Sequence, residues 1–197
     1  MILCIPTGHY VSAYPLNTIM EWGQKAKAYL HMEISNRVDM NRSLCITLAK
    51  QRHEDLLMVD SDVHIVTDPL LVTEYLKQDT KVADVVVGLL VSELGLLVRP
   101  PPPPDDSVYL YDVDWSSLGF TYIPKKTLRR LRPISKYGFG IDMYMTYTKR
   151  ESEDVYFTKR LKKKGFKVMA DRRIRLQHVK KTELRLNTVH FEVEVNK

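Results

Sequence analysis

Apolar strand-like runs alternate with helical patterns through the first 98 residues, and that alternation leaves few folds open to the chain. ILCI opens as a strand, and Pro15 then precedes a helical pattern with Leu16, Ile19, Met20, Gly23, Ala26 and Leu30 near one face. EISNRV reads as a second strand. Met40, Leu44 and Leu48 recur every four residues, which predicts a helix over 40–52 leading into the run LLMV. Thr67-Asp68-Pro69 supplies a cap and a first-turn proline for a helix through Lys77, and ADVVVGLL is a continuous apolar run suited to a buried strand. The order β-α-β-α-β-α-β predicts an α/β fold with a doubly wound, mainly parallel sheet flanked by helices. Such sheets bind ligands at the carboxyl ends of their strands.

Leu56 to Val59 runs directly into Asp60-Ser61-Asp62. In a strand the side chains of i and i+2 point the same way, so both carboxylates are expected to converge on one hard cation where the strand stops. A two-letter pattern recurs by chance, and a second one, Asp112-Val113-Asp114, follows VYLY. Topology separates them: only Asp60 and Asp62 fall at the carboxyl end of a central strand.

The second half changes character. Pro100 to Pro104 is an unbroken run of prolines, which neither a helix nor a central strand accepts, so a stiff surface connection is expected there. Beyond it come VYLYDVD, the strand-like GFTYI, a short basic helix from Lys125 to Arg132 and the irregular aromatic stretch PISKYGFGIDMYMTY. Ser152-Glu153-Asp154 opens a helix through Lys164 that Gly165 ends; Ser152 can cap it, and the two acids favour its dipole. FKVMA and RIRLQH read as the last two strands of the main sheet, with Ile174, Leu176 and His178 on one face, and FEVEV in the tail as an edge strand or partner contact.

Length and a hydrophobic content of 44% suit one domain with a sizeable core. No segment approaches the roughly 18 apolar residues of a membrane span, and MILCIPTG enters a strand directly, so a cytoplasmic protein is expected. Cys4 and Cys45 are too few for a zinc cluster or a disulfide framework. Buried thiols are the expectation, with a single bridge as the alternative should the source be a hyperthermophile. The net charge of +6 is concentrated: Lys159 to Lys181 holds eleven Lys and Arg against Asp171 alone, which leaves the rest of the chain at −4. This segment is either a solvated face or a contact for an acidic partner, with peripheral attachment to an anionic membrane as the first expectation.

Three signals now stand in order: DSD at 60–62, GFTYIPKKTLRRL at 119–131, and SEDVYFTKRLKKKGFKVMADRRIRLQH at 152–178. Together they resemble the GT-A glycosyltransferases, in particular the short inverting-type members of bacterial, archaeal and viral origin, over roughly residues 1–180. The resemblance implies a GT-A, Rossmann-like sheet, with residues 1–98 as a nucleotide-sugar-binding half, 105–181 as an acceptor and catalytic half, and 182–197 as a tail. It implies transfer of a sugar from a nucleotide-sugar donor to the hydroxyl of a carbohydrate, protein or lipid-linked acceptor, with inversion, assisted by Mn²⁺ or Mg²⁺. Asp60 and Asp62 then become the D-x-D pair, Asp62 the more direct metal ligand, and His178 a further metal or diphosphate ligand. Asp154 matches the catalytic base and Glu153 its neighbour, with Glu151 a weaker third. Pro6 and Thr7, before Gly8, match the nucleotide-facing loop; Asp39 is a candidate partner for a nucleobase N–H, and Asp60 and Ser61 belong to the donor site. Arg42 is a further donor-site candidate, although Asn41-Arg42 stands where relatives often show the reverse order, and Val179-Lys180-Lys181 lacks the glycine that many have after the histidine, which weakens the match at Arg42 and His178.

Two other classes compete. A nucleotidyltransferase would share the sheet and the diphosphate chemistry, but ILCIPTGHYVS has one glycine where a glycine-rich signature is expected. A nucleic-acid-binding protein would use 159–181, yet neither a zinc-finger spacing nor an RRM signature accompanies that segment. There is also no G-x-x-x-x-G-K-(S/T) and no G-x-G-x-x-G, which sets aside kinase and dinucleotide readings.

Overall fold

The computed structural model of the chain describes residues 1–8, 10–35, 37–93, 95–137, 141–148, 151–179 and 183–185, with the backbone alone at 10–13, 137, 141 and 183–185. The first half contributes β1 (Ile2–Thr7), β2 (Tyr10–Ser12), α1 (Ala13–Lys25), β3 (Tyr29–Ile34), α2 (Val38–Arg52), β4 (Leu56–Val59), β5 (Val63–Ile65), α3 (Pro69–Asp79), β6 (Val85–Ser92), β7 (Gly95–Leu96) and β8 (Val98–Arg99). The second contributes β9 (Leu110–Asp112), β10 (Trp115–Ser116), β11 (Phe120–Ile123), α4 (Lys125–Arg130), β12 (Ser135–Tyr137), β13 (Ile141–Met143), α5 (Glu153–Lys163), β14 (Val168–His178) and β15 (Glu183–Arg185). FEVEV lies outside the described residues.

The main sheet runs β3-β1-β4-β11-β6-β14-β5, with β7 added on β6 and β9 on β14. β3, β1 and β4 pair in parallel, as do β6 and β14, while β11 enters antiparallel between β4 and β6. The expected α/β, mainly parallel sheet flanked by helices is therefore what the chain builds. Alternation along the strands sorts the core into two layers: Ile2, Cys4, Leu56 and Met58 face α2, α4 and α5, whereas Leu3, Ile5, Leu57 and Val59 face α1 and α3.

Several local expectations are displaced for identifiable reasons. The second strand is Tyr29–Ile34 rather than EISNRV, because Leu30 pairs with Leu3 beside β1 instead of extending α1. In α2 the buried side is Arg42, Cys45, Ile46 and Ala49, with Met40, Leu44 and Leu48 only half-buried, so the four-residue stripe marks the flank of the helix and not its core face. FKVMA and RIRLQH are one strand, whose register against β6 slips between Asp171 and Arg175 where the Asp171 carboxylate accepts the Arg173 N–H at 2.8 Å. Asp68 caps α3 through the Leu70 and Leu71 N–H groups, as the Thr-Asp-Pro signal predicts. The Pro100–Pro104 run holds no helix or strand.

The cysteines are not free thiols: Cys4 on β1 and Cys45 on α2 form a disulfide, at a Cα separation of 5.9 Å. The sequence offers few cysteines, but the buried faces of β1 and α2 bring both to one point of the core. Because the bridge closes a loop of 41 residues, Cys45→Ser is expected to lower unfolding free energy by about 2–4 kcal/mol. Denaturant titrations of parent and variant measure this directly.

Candidate active site

The site lies at the carboxyl ends of β1, β4 and β14. β4 stops at Val59, and Asp60 to Asp62 form a turn in which the Val63 N–H donates to the Asp60 carbonyl at 3.1 Å. The two-residue alternation expected of the D-x-D pair thus ends before it, and the two carboxylates take different partners. Gly119 sits directly beneath the turn: its carbonyl accepts the Asp60 N–H, and a Cβ there would stand 2.9 Å from Leu90 and 3.2 Å from Val63. A side chain at this position would crowd the Leu90 and Val63 side chains.

Asp60 faces Arg42, whose Nη2 lies 3.0 and 2.7 Å from its two carboxylate oxygens. Nη1 of the same guanidinium donates to Glu153 at 2.8 Å and to Asp154 in a shorter contact. One buried arginine therefore joins the end of β4 to the start of α5. Burial alone would lower the Arg42 guanidinium, but the charges of Asp60, Asp154 and Glu153 outweigh it and raise it above its ordinary range. With three carboxylates around one cation the cluster carries excess negative charge, and its least supported member responds. Burial, with the Asp60 and Glu153 charges beside it, pushes Asp154 up to about 6, against the opposing pull of Arg42 and a hydrogen bond from the Leu118 N–H. Glu153 is the more enclosed acid and takes a further hydrogen bond from Tyr147.

Asp62 turns the other way. Val63 pairs with His178, the last residue of β14, and the Val179 N–H donates to the Asp62 carbonyl at 2.9 Å. This register brings His178 Nε2 within 3.2 Å of the Asp62 carboxylate, both side chains being partly open to solvent. A carboxylate oxygen and an imidazole nitrogen at one accessible point suit a hard or borderline divalent cation that keeps its other positions for phosphate and water. The pair fits that role. Among the described residues no three His, Cys, Asp or Glu side chains form a metal cluster, and of the predicted set Asp60 has both carboxylate oxygens engaged by Arg42.

The other predicted donor-site residues are gathered here but satisfy one another. Pro6 and Thr7 are the buried last residues of β1 and not a loop. Thr7 Oγ1 and Ser61 Oγ lie 2.8 Å apart, and the Thr7 carbonyl accepts Asn41 Nδ2 at 2.7 Å. Asp39 is fully buried and takes the Arg37 guanidinium on both oxygens, at 3.1 and 2.5 Å, so it does not present itself to a base. Glu151 stands outside the cluster, paired with Lys159. Asp112 and Asp114 are exposed and lie near Lys162, away from the β4 end. Sequence reasoning missed the joining role of Arg42, the Leu118 N–H and Tyr147. A charged residue between buried positions of α2 was the one available signal, and the displaced apolar stripe concealed it.

No protein-family model matches the chain, and no curated protein matches it by sequence. Among solved structures the chain is similar to A197 from STIV. The alignment covers 100% of this chain and 98% of that chain, with a TM-score of 0.66 and 17% sequence identity. The two chains share a fold. A glycosyltransferase involved in glycosylation of the major capsid of PBCV-1 aligns over 66% of this chain and 63% of that one, at 14% identity and a TM-score of 0.41. GalNAc-T7 with UDP, GalNAc and Mn²⁺ aligns over 86% of this chain and 35% of that one, at 15% identity and a TM-score of 0.48.

Proposed function

We propose that this chain is a metal-dependent glycosyltransferase that moves a sugar from a nucleotide-sugar donor to an acceptor hydroxyl in one inverting displacement. The observation that carries the reading is the convergence at one sheet end of two separate devices, the Asp62–His178 pair and the Arg42-centred acids, in the order that the GT-A resemblance implies. Asp62 and His178 would hold Mn²⁺ or Mg²⁺, which supplies a positive charge against the departing diphosphate. Asp60 keeps Arg42 in place and so sets the position of α5. Asp154 takes the acceptor proton: it is more open than Glu153, and with its carboxyl held at about 6 it is ionised at neutral pH yet still basic enough to accept a proton. Glu153, tied to Arg42 and Tyr147, orients the start of α5.

The nucleotidyltransferase alternative differs in its product. A panel of nucleotide-sugars with Mn²⁺ or Mg²⁺, read by thermal shift and by donor hydrolysis, is expected to give metal-dependent stabilisation by one donor class and release of its nucleoside diphosphate. Release of nucleoside monophosphate, or metal-independent stabilisation, would contradict the proposal.

A further inference from the structure

The basic segment does not form one face. Lys159 and Lys162 pair with Glu151 and Asp112, Arg172 with Asp106, and Arg173 with Asp79 and Asp171, while Lys180 and Lys181 lie outside the described residues. Arg160 and Lys164 point elsewhere. α5 begins at the candidate active site and its 11 residues, about 16 Å of helix, lead back to the start of β14. β11 runs antiparallel to β4 and β6, so α4 also lies at the edge where the parallel strands begin. There Arg130, Arg132, Arg160 and Lys164 surround a cavity of about 330 Å³, with Leu131 and Phe166 in its wall.

Ordinary structural roles do not absorb this charge. Arg130 is held by Asp84 at 2.8 Å and lies 4.5 Å from the centre of the Phe166 ring. Arg160 is half-buried and donates to the Arg132 and Tyr144 carbonyls at 2.5 and 3.3 Å. Among the described residues no carboxylate pairs with Arg132, Arg160 or Lys164. Two helix carboxyl ends contribute roughly half a negative charge each, and Asp84 one more, against four cations. About two positive charges remain over a concave surface lined by guanidinium and ammonium groups, the donors that bind phosphate.

We infer that this cavity is a second anion site, which binds a phosphate group at the end of the sheet opposite Asp62 and His178. The phosphate is either free in solution or the headgroup of a lipid, and the site is independent of the proposed transfer reaction. With a chelator present to silence metal-dependent binding, calorimetry with inorganic phosphate and pyrophosphate reads the free anion. Sedimentation with vesicles of neutral phosphatidylcholine, alone or mixed with phosphatidic acid, reads the lipid. Arg132→Gln/Lys164→Gln, both exposed positions, is expected to weaken whichever probe binds by about tenfold. Lys81→Gln/Lys125→Gln removes the same charge from the same edge outside the cavity and is expected to cost less than about threefold. Binding of the soluble anions assigns a free ligand, and binding only to phosphatidic acid vesicles assigns a lipid. Failure of the parent to bind either, or equal losses in the two double variants, overturns the inference.

Discussion

Asp154→Asn is expected to cut sugar transfer by about 10²-fold or more while donor and metal affinity stay near parental. The amide keeps the shape of the carboxyl and a hydrogen-bond acceptor for Arg42, but it cannot take a proton. The pH profile provides a second readout. Asp154 in the parent titrates near 6, held up mainly by burial and by Asp60 and Glu153, so transfer should fall about tenfold per pH unit below that value and level off above it. The variant should lose this limb. Glu153→Gln should keep it, because Glu153 faces inward to Arg42 and Tyr147. An unchanged rate in Asp154→Asn, or loss of the limb in Glu153→Gln alone, would move the base one residue back.

Arg42→Met is expected to destabilise the fold by about 3–5 kcal/mol at neutral pH, since it strands three carboxylates that share one buried cation. The pH dependence follows from proton binding. Asp154 is already raised in the folded state although Arg42 pulls it down, so without Arg42 it rises further and the folded variant binds more protons than the unfolded chain between the two values. Its stability should therefore recover as pH falls from 7 toward 5. Urea titrations across that range test it, and a loss independent of pH would mean that packing and not charge accounts for the effect.

How much of this was legible in the sequence depends on whether the partners are near in the chain. Strand-helix alternation, the Asp68 cap and the Gly165 stop are local, and each leads to the element it predicts. Arg42 could not be read so: its partners lie 18, 111 and 112 residues away, and a buried arginine looks implausible until those acids are known. The same holds for β11, whose insertion between β4 and β6 no local pattern announces, and which brings the Gly119 carbonyl just before it onto the Asp60 N–H. Asp62 and His178 were both singled out, but what joins them is the register of β5 on β14, 116 positions apart along the sequence. The strand period does not apply to the D-x-D pair, because β4 ends at Val59, three residues before Asp62.

The central claim, that Asp62 and His178 form the cation and diphosphate site, is tested most directly by calorimetry with a nucleoside diphosphate and Mn²⁺. The parent is expected to bind the diphosphate only when Mn²⁺ is present. Asp62→Ala should abolish that metal-dependent binding, and Asp114→Ala, in the exposed second D-x-D, should leave it unchanged. Parental binding by Asp62→Ala, or loss of binding by Asp114→Ala, would contradict the account.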